Sequence, residues 1–181
     1  MTNEQEELAH LDPAVISARD FAIDAHGDQK YGNNPYSFHL DKVTLFVIPF
    51  GIKAQQLAQL HDVGEDTTKT YAEIEKLFGD DMARMVDLIS DEDGASRKER
   101  KAKTHAKLAA LDVTNEEHKT VLLVKLADRL ANVMASVYAA KNGKLRHLVM
   151  YRKEHEAFSQ AVYRDGFHTR YQQIIDELLA A

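Results

Sequence analysis

An all-helical domain is what this sequence predicts. Helix start and stop signals punctuate the chain, clear runs of period two are hard to find, and residues 121–133 form a largely apolar stretch of helical character. Asp12-Pro13 pairs a capping residue with proline at the first helical position, opening a helix to about His26. GDQKYGNNP, residues 27–35, reads as a polar, turn-rich loop. A second helix runs from Tyr36 to about Ile48, where Pro49 and Gly51 end or bend it, and a third begins near Lys53. Thr70 with Glu73, and Thr114 with Glu117, have capping-box spacing and mark two further starts. The first of these helices stops at Phe78-Gly79, and another covers roughly 80–90. Residues 91–101 form a loop running into a basic helix start, 115–138 a long and mostly buried helix, and roughly 144–164 and 167–179 two closing amphipathic helices. With no repeat, linker or low-complexity tract, one domain over residues 1–181 is the economical reading.

Composition narrows the function classes. At 181 residues, with 44% hydrophobic and 29% charged residues, the chain is long enough for a real core and is not globally disordered. No segment approaches the apolar length of a membrane span, and MTNEQEELAH lacks the basic and apolar parts of a signal peptide, so the expectation is a cytoplasmic protein without a membrane partner. A net charge of −6 argues against nucleic acid as a partner. There is no cysteine, so any metal must be held by nitrogen and oxygen.

The segment LAQLHDVGEDTT, residues 57–68, begins like a buried helix yet sets His61, Asp62, Glu65 and Asp66 close together. Ionised carboxylates in an apolar setting need a partner. On a helix Glu65 lies four residues after His61, and Asp66 four after Asp62, so each pair shares a face. A metal held by His61 and Asp62 would sit at the helix edge and need ligands from elsewhere. His39, in PYSFHLDKV, and Asp128, which interrupts the buried run VLLVKLADRLANV, are suited to that. Two imidazoles and two carboxylates favour a divalent first-row ion, Mn²⁺ first, with Mg²⁺, Fe²⁺ or Zn²⁺ as alternatives. Such an ion would lower the pKa of bound water and polarise a phosphoryl oxygen, with Glu65 and Asp66 placed to orient or deprotonate that water.

These residues resemble the four ligands of the HD-superfamily metal-dependent phosphohydrolases. HDVGEDT, FGDD…LISD followed by RKERK, and VKLADRLAN are similar to the hydrolase half of RelA/SpoT enzymes and to small alarmone hydrolases, over about residues 17–135. The resemblance implies an HD-type helical bundle that hydrolyses the 3′-pyrophosphate of (p)ppGpp, with Mn²⁺ typical and Glu65 and Asp66 as the water-activating pair. It also implies a stand-alone hydrolase, since a synthetase region does not fit after residue 181. A purine nucleotide polyphosphate is the expected small-molecule partner.

The departures concern the base. Lys30-Tyr31 falls where the family has a basic Arg-Lys pair, and lysine lacks the planar guanidinium that stacks on a purine. Tyr31 can stack instead, which keeps (p)ppApp as a second substrate. Ala131 replaces a histidine, but Asn132 remains to contact the nucleotide; Gly64 replaces a branched residue and Leu40 a proline. Arg97, Lys98, Arg100 and Lys101 are the source of positive field for a polyphosphate. Two other readings are a phosphatase of another nucleotide and a nucleotide-binding module without catalysis.

Overall fold

The computed structural model describes residues 3–181, with side chains from Gln5 onward. Helix α1 (Asn3–Ala9) precedes α2 (Pro13–His26), which starts as expected: the Asp12 carboxylate accepts from the Ala14 N–H at 2.8 Å, with Pro13 at the first position. Between α2 and α3 (Ser37–Val47) the expected loop contains a two-residue hairpin, β1 (Lys30–Tyr31) and β2 (Asn34–Pro35), with Lys30 opposite Pro35. Gly32, at φ 64°, makes its tight turn. Such strands are too short to leave a periodic signal.

A 3-10 turn at Ile48–Phe50 follows α3, and α4 (Ile52–Leu60) carries the chain to the His61-Asp62 pair. The helix does not run through this pair. Asp62 adopts φ −99° and ψ −5°, and a short α5 (Val63–Asp66) restarts beyond it. Packing is tight at Gly64, since a Cβ would lie 3.0 Å from the Tyr71 hydroxyl and 3.2 Å from Ser90 Oγ, so those side chains would have to give way. The Tyr71 hydroxyl thus occupies the room that a branched side chain at 64 would need.

Helix α6 (Tyr71–Phe78) begins with the expected capping box of Thr70 and Glu73, and α7 (Asp80–Ile89) follows after Gly79. Helix α8 (Arg97–Ala109) is capped by Ser96. The long α9 (Glu116–Lys141) is capped by Asn115, whose side chain accepts from the Glu117 and His118 N–H groups. The Thr114–Glu117 box expected from the spacing does not form, because Thr114 donates its hydroxyl to Asp112. Helices α10 (Arg146–Val162) and α11 (Thr169–Ala180) close the chain.

Helix α9 is the axis of the fold. It packs against α3, α4, α7, α10 and α11. Its Val121, Leu122, Val124, Leu126 and Val133 are fully buried, together with Leu40 and Val43 of α3, Leu57 and Leu60 of α4, and Met85, Val86 and Ile89 of α7. Each such side chain contributes roughly 1.5–3 kcal/mol of burial free energy. Polar ties set the angles between elements. Arg19 of α2 makes a bidentate pair with Asp41 of α3 at 2.7 Å, and Arg164 donates to the Leu108, Ala109 and Leu111 carbonyls at the end of α8. Among the described residues no helix is long and apolar enough to cross a membrane.

Candidate active site

Three elements bring the sequence-selected ligands together. α3 supplies His39, the break after α4 supplies His61 and Asp62, and α9 supplies Asp128. His39 Nε2 lies 3.3 Å from Asp128 Oδ1 and 3.6 Å from Asp62 Oδ2, while His61 Nε2 lies 3.2 Å from Asp62 Oδ2 and 3.8 Å from Asp128 Oδ1. His39, His61 and Asp128 form a group able to hold a metal ion, and Asp62 borders it.

The donor set fits a divalent cation. Ligand atoms about 2.0–2.2 Å from a first-row ion stand roughly 3–3.5 Å from one another, close to the spacings observed. His61 Nδ1–H donates to the Ala58 carbonyl at 2.7 Å, which leaves the Nε2 lone pair aimed at the carboxylates. That Nε2 is buried and has no hydrogen-bond partner. A buried lone pair facing carboxylate oxygens is unfavourable unless a proton or a cation intervenes.

Burial opposes the charged form of both histidines, but the adjacent Asp128 and Asp62 outweigh it and raise both. The histidines in turn hold Asp62 and Asp128 below the usual carboxylate range despite burial.

Further residues hold the ligands in place. The Tyr36 hydroxyl donates to Asp62 Oδ2 at 2.6 Å. Asn132, one turn after Asp128 on α9, donates to Asp128 Oδ1 and accepts from the Tyr31 hydroxyl at 2.9 Å. The Tyr31 ring stacks on His39 with centroids 4.7 Å apart and planes 16° from parallel. Tyr36 is therefore a direct partner of a candidate ligand.

Two spaces meet at His39. A polar cavity of about 280 Å³ contains Asp62, Glu65, Asp66, Asp91, Asp128 and Asn132 together with Arg97, Arg100, Lys101, Lys125 and Arg129. An apolar cleft of about 790 Å³ lies on the other side of Tyr31, walled by Phe38, Ala131, Met134 and Tyr138. Glu65 is at the polar cavity's mouth, where Oε1 accepts from the Asp91 backbone N–H at 2.6 Å. Partial withdrawal from water, with repulsion from Asp62 and Asp91 opposed by Lys125, pushes Glu65 up to about 7. Asp66 accepts from Gln29 at 3.0 Å.

The basic residues divide. Arg97 is engaged in two hydrogen bonds to Glu154, Lys101 lies 2.7 Å from Asp91, and Arg100 lines the cavity from an exposed position. Lys30 is exposed on β1 and lines neither space; Tyr31 lines the apolar cleft. Two buried members of the polar cavity lie outside the sequence-selected set: Lys125, which the sequence reading passed over, and Arg129, which sequence spacing sets aside as a partner of Asp128 because it points elsewhere on the helix. The burial argument that singled out Asp128 applies equally to Lys125, three residues earlier on the same face of α9. Arg129 does diverge from Asp128, stacking over Phe158 at 4.1 Å and Tyr151 at 4.8 Å, yet it reaches the same cavity.

Known proteins resemble this chain in sequence and in fold. Over 122 residues the chain is 35% identical to a guanosine-3′,5′-bis(diphosphate) 3′-pyrophosphohydrolase of Aquifex aeolicus, covering 66% of this chain and 17% of the relative. Over 167 residues it is 29% identical to the bifunctional (p)ppGpp synthase/hydrolase SpoT of Escherichia coli, covering 91% of this chain and 23% of the relative. The chain thus spans less than a quarter of the length of these relatives. A solved structure described as a metazoan ortholog of SpoT that hydrolyzes ppGpp has the same fold, with TM-score 0.76 at 21% identity over 94% of this chain and 96% of that one. Residues 18–151, a span from α2 into α10 that includes all four candidate ligands, match the HD domain. This chain belongs to the HD-domain family and is homologous to the SpoT-type hydrolases.

Proposed function

We propose that the chain hydrolyses the 3′-pyrophosphate of the alarmone (p)ppGpp, and of (p)ppApp, to the 5′-nucleotide and pyrophosphate. The observation that carries this reading is the convergence of His39, His61, Asp62 and Asp128 on one point, beside a cavity rich in cations. The names of the homologous hydrolases support the substrate class.

His39, His61, Asp62 and Asp128 would hold a divalent cation, Mn²⁺ first and Mg²⁺, Fe²⁺ or Zn²⁺ as alternatives. Such an ion supplies a water of lowered pKa and polarises a phosphoryl oxygen when bound. Glu65, anchored by the Asp91 N–H and poised near neutrality, accepts the proton of the attacking water. Asp66 orients that water from one residue further on. Water oxygen bonds to the phosphorus at the 3′ position, the bond from that phosphorus to the 3′ oxygen breaks, and the 3′ oxygen leaves as a hydroxyl once protonated. Arg100 and Lys101 bind phosphate oxygens, with Arg97 reinforcing the field after release from Glu154. Asn132 contacts the nucleotide, and Tyr31 presents an aromatic face to the purine at the edge of the apolar cleft. Lys30, exposed on the same hairpin, is the further residue assigned to the substrate. The reading includes a cytoplasmic location and a single domain.

Anion-exchange analysis of the products tests it directly. Metal-stripped protein is incubated with ppGpp and separately with ppApp, with and without Mn²⁺. Metal-dependent release of pyrophosphate and the matching diphosphate nucleotide is expected. No turnover of either substrate would move the assignment to another nucleotide or to a binding module.

A further inference from the structure

Lys125 is the buried cation of the polar cavity. It is 8% exposed, and its one hydrogen bond goes to the neutral carbonyl of Ile89, at 3.0 Å. Burying an ammonium group for a single carbonyl is expensive unless nearby negative charge balances it. That charge is present. Glu65, Asp128, Asp91 and Asp62 all face it, with Lys101 as the opposing cation.

The end of α7 ties these groups into one bracket. The Ile89 carbonyl takes the Lys125 ammonium, the Ser90 carbonyl takes Lys107 at 2.9 Å, and the Asp91 N–H holds Glu65 while its carboxylate holds Lys101 at 2.7 Å. Lysines suit a helix C-terminus, where carbonyls lack partners and the dipole is negative. This bracket does more than end a helix, because Glu65 and Lys125 are hung from residues two apart and face one another across the cavity without a direct ion pair.

We propose that Lys125 is a positioning residue for the hydrolysis, holding Glu65 in place through the Ile89–Asp91 bracket and setting the charge it faces across the cavity. This rests on the hydrolase reading given above. The groups surrounding Glu65 are Asp62, Asp91, Lys101, Tyr71 and Lys125, so removing Lys125 leaves a carboxylate-rich neighbourhood. A neutral replacement that still donates to Ile89 separates charge from anchoring.

The test compares Lys125→Gln and Lys125→Arg with the wild type in Mn²⁺-loaded protein, reading metal content, kcat, KM and the pH profile. For Lys125→Gln we expect metal content unchanged, kcat lower by about tenfold to a hundredfold and KM within about threefold. Its acid limb should move up by about one pH unit, because the lost cation had favoured the carboxylate. Lys125→Arg keeps the charge and should keep the limb in place. In a Glu65→Gln background, Lys125→Gln should cost little more, since its effect runs through Glu65. An unmoved limb with full kcat, a rise in KM alone, or loss of metal in Lys125→Gln would each overturn the proposal. Should Lys125→Gln fail to fold, a displaced limb in folded Lys125→Arg overturns it equally. An inactive wild type would instead sink the hydrolase reading. In that case a carboxyl-carbon NMR titration of metal-free protein still reports whether Lys125→Gln raises the Glu65 midpoint.

Discussion

The Tyr31 ring lies flat over the His39 imidazole, 4.7 Å between centroids and 16° from parallel, and its hydroxyl reaches Asn132 on α9. One residue of the hairpin therefore covers a candidate ligand and separates the polar cavity from the apolar cleft. Tyr31→Phe keeps the cover and loses one hydrogen bond, so kcat/KM should fall about twofold to tenfold, as a net contribution of roughly 0.5–1.5 kcal/mol predicts. Tyr31→Ala opens the partition and should cost more, mainly in KM. Steady-state kinetics on both nucleotides would check this, and equal values for Ala and Phe would show that the stack is idle.

The Tyr36 hydroxyl fixes the orientation of Asp62 at 2.6 Å. Groups that orient metal-binding side chains typically account for about 10–100-fold in affinity. Tyr36→Phe should weaken Mn²⁺ binding by that amount in calorimetry, whereas Asp62→Ala and Asp128→Ala should abolish it. Glu65→Ala and Asp66→Ala should retain the metal and lose turnover. A fully active Asp128→Ala protein would refute the ligand assignment.

Glu65 stands near 7 in the metal-free protein, against an ordinary 4.5. The folded chain then holds a proton that the unfolded chain has released over this interval, so the group's contribution to stability declines as pH rises from 4.5 to about 7. Activity has the opposite sign, because a base must be free of its proton. Turnover should climb with pH through a limb below about 7, displaced downward by the bound cation. In Glu65→Gln that limb should vanish from the residual rate.

Gly64 faces the Tyr71 hydroxyl and Ser90 Oγ with room for hydrogen only. Gly64→Ala should destabilise the fold by about 1–3 kcal/mol through overpacking. Tyr71→Phe in the same chain removes the nearer obstacle and should recover part of the loss. Urea denaturation of the two single variants and the double variant measures this; strict additivity would mean the two residues do not compete for space.

The convergence of the candidate ligands was legible because buried charge is improbable, and that argument needs only the apolar context of His61, Asp62 and Asp128 in the sequence. The long helices were legible for a similar reason: caps such as Asp12 and the Thr70–Glu73 box act within a few residues. What escaped depends on distant parts of the chain. Asn115 won the cap of α9 because Thr114 turned to Asp112, a choice between two adjacent competent residues. The break at Asp62 is a change of backbone direction at one residue, and the hairpin is too short to show a period. Arg97 looked like a free cation beside its basic neighbours, but its partner Glu154 lies 57 residues away.

Helix α9 furnishes Lys125, Asp128 and Asn132 to the polar space and Ala131, Met134 and Tyr138 to the apolar one. A single rigid rod thus serves as a ruler with both compartments graduated along it. At a rise of about 1.5 Å per residue, Asp128 and Tyr138 are about 15 Å apart along its axis. The helix is unbroken between them, so on the proposed reading the separation of the two compartments along it is fixed. A ligand whose phosphates and ring are separated by the wrong length would reach one compartment only by surrendering the other.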